Sequence, residues 1–316
     1  MNINKSCAGV LLLAAVLAMG ILRDVVAQGS FTPPPGAPGP VMRSLDQVEA
    51  RTPITNTTSL VTISQPGSYY LTGNLTVSTG NGIVIATNGV TLDLNGFTIR
   101  STSPTPSGSG VLISDVINVL IKNGFIQGTV TNNGSNVYSG GGFNEGILAI
   151  GVNAANITVA SVSVVGCWSA GIELGAGGAR QFLAESCLVR TIAQDGIIAS
   201  VVSRCLASDV GNRGIMCDRA SDSHGESTSA ISLYVGLNAN HVAINSSGKA
   251  NAGTGLEAIC AINCDGTSNT GIGLSADTAN TCSGFRTGGT AVKATIGNGC
   301  YARSGTNNIT HKYNMP

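Results

Sequence analysis

Residues 184–207 read AESCLVRTIAQDGIIASVVSRCLA. The string Ala184-Glu185-Ser186-Cys187-Leu188-Val189 returns as Val202-Ser203-Arg204-Cys205-Leu206-Ala207, which sets the two cysteines 18 residues apart. A Gly-Ile pair, Gly196-Ile197, lies between them, and Ile197 is in turn 18 residues before Ile215. Cys264, Cys282 and Cys300 repeat the interval twice more. The shared pattern is a small or apolar residue, two residues, Cys, one residue, then small or apolar again. It also fits Val164-x-x-Cys167-x-Ser169, Ala261-x-x-Cys264-x-Gly266 and Gly297-x-x-Cys300-x-Ala302. Ser stands for Cys in Ala220-x-x-Ser223-x-Gly225, and Ala239-x-x-Val242-x-Ile244 is a weaker copy. Gly-Ile pairs recur at Gly171, Gly196, Gly214 and Gly271.

A period of 18–25 residues built from short strands is the signature of a solenoid. No coil buries its own apolar face, but stacked coils make one narrow core, with neighbours about 4.8 Å apart. Such a lumen favours Ala, Val, Ile, Ser, Gly and Cys and is expected to exclude rings. Composition agrees: 43 glycines in 316 residues, 4% aromatic and 10% charged. Low charge with 42% hydrophobic residues excludes disorder, and a formal net charge of +0 removes the electrostatic basis for nucleic-acid binding. The expected fold is all-β, a parallel β-helix of about ten to twelve coils.

Upstream, strands are expected at Leu60–Ile63, Gly82–Ala86, Val90–Leu94, Phe97–Ile99, Gly110–Ile113, Ile117–Ile121, Gly146–Ile150 and Ile157–Val165. Several of them end at turn signals such as Asn95-Gly96 and Asn123-Gly124. Two insertions, 100–109 and 128–145, interrupt the coils. Residues 1–27 read as a signal peptide: Lys5, an apolar run from Ala8 to Leu22, and Val25-Val26-Ala27 before Gln28. Export to the periplasm, envelope or medium follows, with no spanning segment in the mature chain. Residues 28–42 form a Pro-rich linker, and the domain runs from 43 to 316. Ser44 with Gln47 forms a capping-box pattern, which predicts a short helix near 44–50 covering the first coil. The tail from Ile309 to Pro316 is expected to close the other end.

The segments PGSYYLTGNLTV (66–77) and NGIVIATNGVTLDLNGFTI (81–99), followed by these coils, resemble the secreted bacterial right-handed β-helix repeat proteins of the pectin-lyase-like superfamily. The resemblance covers roughly residues 54–305 and implies a right-handed helix. It implies no single activity, because the superfamily includes polysaccharide lyases, glycoside hydrolases, phage tailspikes and non-catalytic members. The hydrolase motifs that the resemblance brings with it are missing: there is no Asp-Asp pair, no Gly-His-Gly and no Arg-x-Lys.

Two functional readings remain. The first is a non-catalytic surface or envelope protein that binds a polysaccharide or cell-surface glycan, or serves structurally, with no cofactor. The alternative is a polysaccharide-active lyase or hydrolase, for which Ca²⁺ would enter only in the lyase case. The candidate binding residues are Arg204, Asp222, His224 and His241, with no catalytic or metal-ligating residue assigned. The stretch from Cys217 to Glu226 gathers three carboxylates, an Arg and a His in a charge-poor chain. Repeat register places Ser186, Arg204, Asp222, His241, Asn263 and Thr281 in one outward column, a row suited to an acidic sugar. Asp93 is expected to face outward and brace a turn, while Glu145, Glu173 and Asp195 read as scattered. The cysteines are expected to be mostly free thiols in the lumen. Trp168 should face outward.

Overall fold

Apolar residues at alternate positions of short strands can be buried only if each strand lies over its equivalent in the next coil. The computed structural model, which describes residues 50–175 and 180–315, shows that stacking. Twenty-five strands join in one continuous sheet that winds into a right-handed parallel β-helix, and every pairing within it is parallel. No helix occurs among the described residues, so none there is long and apolar enough to cross a membrane. The expected signal peptide, linker and residues 44–49 of the capping helix lie outside the described residues.

Each coil has three faces. Asp195–Ser203 runs along face 1 and on into face 2, Arg204 turns the corner, and Leu206–Val210 forms face 3 before a loop returns to face 1 at Ile215. On face 1, Ile197, Ile215, Leu237, Leu256, Leu274 and Val292 stack in register and are all fully buried. On face 2 the inward column runs Val202, Ala220, Ala243, Ala261 and Ala279. The first residue of each repeat motif therefore points into the lumen.

The Gly of each Gly-Ile pair has a steric cause. A Cβ on Gly146, Gly171, Gly196, Gly214, Gly236 or Gly255 would lie 2.3–2.7 Å from the carbonyl oxygen of the next glycine in the column. Contacts that short do not occur, so no side chain fits. The column continues through Gly273 rather than Gly271, and the later pairs are Gly-Leu.

The corner between faces 2 and 3 is a column of left-handed residues. Asn123, Ser161, Ser186, Arg204, Asp222, Asn245, Asn263 and Thr281 have φ between 49° and 60°. Asn pays least for this conformation, and a β-branched residue such as Thr281 pays most. From Ser186 onward, the side chain of the residue after the corner donates to a carbonyl two positions earlier. Cys205 Sγ reaches Ser203 O (3.3 Å), Cys264 Sγ reaches Ile262 O (3.2 Å) and Cys282 Sγ reaches Asn280 O (3.2 Å). Ser223 and Ser246 do the same with hydroxyls, at 2.7 and 2.8 Å. Ser thus replaces Cys because the position needs a small donor. All eight described cysteines are free, and seven are buried.

Several expectations need correction. Ile117–Gln127 is one bent strand that passes through Asn123 rather than stopping there. Tyr301–Tyr313 is the last rung, so the tail from Ile309 continues the sheet instead of capping it. Two rings are buried: Phe143, and Phe182, which lies against Gly175 where no side chain obstructs it. Asp93 faces outward between the lumen residues Leu92 and Leu94, as expected, but is covered, 3.5 Å from Arg51 and 3.6 Å from Lys122; its Oδ1 accepts the Asn95 N–H, which is the turn-bracing role expected of it. The weaker repeat at Ala239 is out of register, since Ala220 pairs with Ala243 and the true copy is Ala243-x-x-Ser246-x-Gly248.

Gly196→Ala should lower stability by about 2 kcal/mol or more in urea titration, because the new methyl meets backbone that cannot yield. Thr281→Asn should raise it by about 1 kcal/mol through relief of the left-handed strain. With a thiol reagent, Cys260, the half-buried one among the described cysteines, should be the one of these that labels rapidly in the native protein. The seven buried thiols should react only after unfolding.

Candidate functional site

Three of the four candidate binding residues meet at the corner of faces 2 and 3. Arg204, Asp222 and His224 line one shallow concavity with Asn245 and Ser247. Each side chain is committed to a neighbour on an adjacent rung. Arg204 pairs with Glu185, and its Nε donates to Ser186 Oγ at 3.4 Å. Asn245 Nδ2 donates to Asp222 Oδ1 at 3.2 Å. His224 Nδ1 is 2.7 Å from Ser247 Oγ, and burial pushes the imidazole below its ordinary value, which favours the neutral ring.

His241 is not in this column. Asn245 takes the place expected for it, because the return loop before Leu237 is four residues longer than in the preceding coil and two residues, Asn240 and His241, separate Ala239 from Val242 where the next coil has one. This bulge sits at the opposite corner, between faces 1 and 2. There His241 Nδ1 is 3.9 Å from Asp218 Oδ1, and Asn240 Nδ2 donates to the same oxygen at 3.2 Å.

A two-part groove flanks the bulge, one part along face 1 and the other along face 2. One, of about 500 Å³, runs beside Asn238, Asn240, Glu257, Ser275, Asp277 and Lys293 and ends at Thr310. The other, of about 760 Å³, has an apolar floor of Leu183, Val201 and Val242, with Asn156, Thr158 and Gln181 at its edge. Each part lines five rungs, about 20 Å at the usual rung spacing. Asp218 lines the second segment, its side chain only 9% exposed, and its Oδ2 has no hydrogen-bond partner. Leaving a buried acceptor unmet costs about 1–3 kcal/mol, and more for a charged one.

A second group of charged residues lies outside this groove, on face 1. Asp195 receives both Nε and Nη2 of Arg213, each at 2.9 Å, a bidentate pair on adjacent rungs. Glu145 and Glu173 are half-buried, and burial raises both above the ordinary carboxylate range. Ser109 donates to Glu145 at 2.9 Å, which offsets part of the rise, and the Glu173 charge adds to it. For Glu173 the Asp195 charge adds to the rise and Arg213 opposes it. The insertion at 128–145 closes down on these coils. Its hairpin strands, Thr131–Asn132 and Tyr138–Ser139, anchor on Asp209, which accepts from Asn132 (2.6 Å) and Tyr138 (3.0 Å). Trp168 is half-buried.

The sequence reading took Asp218 only as one member of the charged stretch from Cys217 to Glu226, and Glu173 and Asp195 as scattered. The signal for Asp195 was present, since Arg213 follows it by one 18-residue coil. Among the described residues, no group of three or more His, Cys, Asp or Glu side chains is placed to hold a metal ion.

No protein-family model matches the chain, and no curated protein does. Among solved structures it is similar to the enzymatically active domain of tailspike protein 2 from bacteriophage CBA120. Identity is 12% and the TM-score 0.36, over 82% of this chain and 42% of that one, so the chain spans less than half of that structure's length.

Because the folded Glu173 carboxyl titrates above its ordinary value of 4.5, its stabilising contribution is complete below that pH. It is lost as pH rises through the raised value. The thermal midpoint of the wild type should therefore fall more between pH 4 and pH 7 than that of Glu173→Gln. Parallel curves for the two proteins would contradict the raised value.

Proposed function

We propose that this is an exported β-helix protein that binds an extended polysaccharide along the groove at the corner of faces 1 and 2, without cleaving it. The observation that carries the reading is the groove itself. Each of its two parts spans several rungs, enough for more than one sugar unit, and together they offer an apolar floor and amide, hydroxyl and carboxylate groups. Sugar rings present the matching surfaces: apolar faces for the floor and hydroxyls for the edge. The hydrogen-bonded concavity at Arg204, Asp222 and His224 is secondary, because its polar groups already satisfy one another. Export rests on the apolar run from Ala8 to Leu22 and the small residues before Gln28. Recovery of an extracellular or periplasmic form beginning at Gln28 would support it.

One observation favours a second reading, a polysaccharide-cleaving enzyme. Glu145 and Glu173 are half-buried carboxyls with raised values, the condition a general acid needs near neutrality. Neither lines a segment of the groove, which is why the binding reading stands first.

Affinity electrophoresis against a panel of polysaccharides should show retardation by at least one polymer. Thr158→Trp and Ser275→Trp, one in each segment, should each weaken that binding by about tenfold or more by filling the groove. Binding untouched by both would place the ligand elsewhere. Assays for reducing ends and unsaturated products, with and without Ca²⁺, should detect no turnover; turnover abolished by Glu173→Gln would establish the enzyme instead.

A further inference from the structure

The groove holds a buried carboxylate oxygen with nothing to accept from. Asp218 stands where face 1 turns into face 2, and the Asn240–His241 bulge of the next rung folds against it. Both contacts from the bulge go to Oδ1, the Asn240 amide at 3.2 Å and the His241 ring at 3.9 Å. Oδ2 is buried and unpartnered among the described residues. The floor beside it is Leu183, Val201 and Val242, which supply no donor. The His241 side chain is 62% exposed, so the ring has room to turn and uncover the carboxylate.

We infer that the part of the groove over Asp218 is a subsite for a sugar unit that brings a hydrogen-bond donor, an uncharged or amino sugar, and that Asp218 discriminates against uronic acids. This rests on the groove reading above. A hydroxyl or ammonium donor would satisfy Oδ2 with a charge-assisted bond. A uronate would set a second negative charge against a carboxylate that water does not screen. Arg219 at the rim is exposed, so solvent and salt weaken its opposing attraction. The inference reverses the preference for acidic sugar that the sequence suggested, because His241 stands over a carboxylate instead of beside Arg204.

The test compares full-length protein on three soluble polymers: a neutral galactomannan, chitosan and polygalacturonate. Wild type should bind the neutral or amino polymer about tenfold tighter than polygalacturonate. Asp218→Asn puts a donor where the acceptor stood, and should bring that ratio to within about threefold, by losing the first and gaining the last. Equal or tighter binding of polygalacturonate by wild type overturns the inference, whether or not the variant folds. So does a ratio left unchanged in a folded Asp218→Asn. If wild type binds none of the three and no other polysaccharide of the wider panel, the groove reading fails first. If it binds polymers but ranks them otherwise, only the role of Asp218 fails.

Discussion

The coils approach until a backbone carbonyl fills the space where the preceding coil's Cβ would be. From Gly146 to Gly273 that contact repeats rung after rung, and it sets how tightly face 1 can close on the lumen. The aliphatic column beside it, from Ile197 to Val292, is buried because the glycines let the strands come this near. Burial of those side chains supplies the apolar stabilisation. The glycines supply the geometry that makes it available.

The corners divide the labour. At the corner of faces 2 and 3, a left-handed residue turns the chain in each coil, and from Ser186 onward a small donor, thiol or hydroxyl, follows it. Regularity there leaves little for a ligand, since the polar groups satisfy one another across rungs. At the corner of faces 1 and 2 the chain bends without a fixed hydrogen-bond motif, so it tolerates the two-residue bulge at Asn240–His241. The groove, the buried Asp218 and the break between the two segments all occur at this less constrained corner.

Much of this was legible in the sequence. The 18-residue interval identified the coil, the inward Ala and Val, and the free cysteines. It failed at two places: at Cys167, where the copy stacked on Ala184-x-x-Cys187 is Val159-x-x-Val162, and at the coil that carries Ile231 and Leu233, where a return loop four residues longer and the one extra residue of the bulge lengthen the interval from Ser223 to Ser246 to 23 residues. An alignment carried across that loop in steps of cysteine puts His241 in a column where Asn245 belongs. The charged cluster from Cys217 to Glu226 was visible, but not that Asp218 is its most consequential member. Whether a carboxylate is buried depends on what the next rung lays over it, and that cover is a bulge with no composition of its own. Glu145 and Glu173 were hidden for a related reason: they occupy different columns of adjacent rungs, Glu145 level with Ala170 and Glu173 level with Leu148, so no repeat interval joins them.

A stack in which each coil touches only its neighbours can gain or lose a coil without disturbing the rest. Duplication or deletion of one 18-residue unit such as Cys264–Thr281 would keep the glycine, corner and lumen columns aligned, because each is a single position per turn. The groove would lengthen or shorten by one rung, about 4.8 Å. Reach along a polymer in this architecture is therefore a counted quantity, set in whole coils, and a lineage can change it by recombination between its own repeats, with no new surface to evolve.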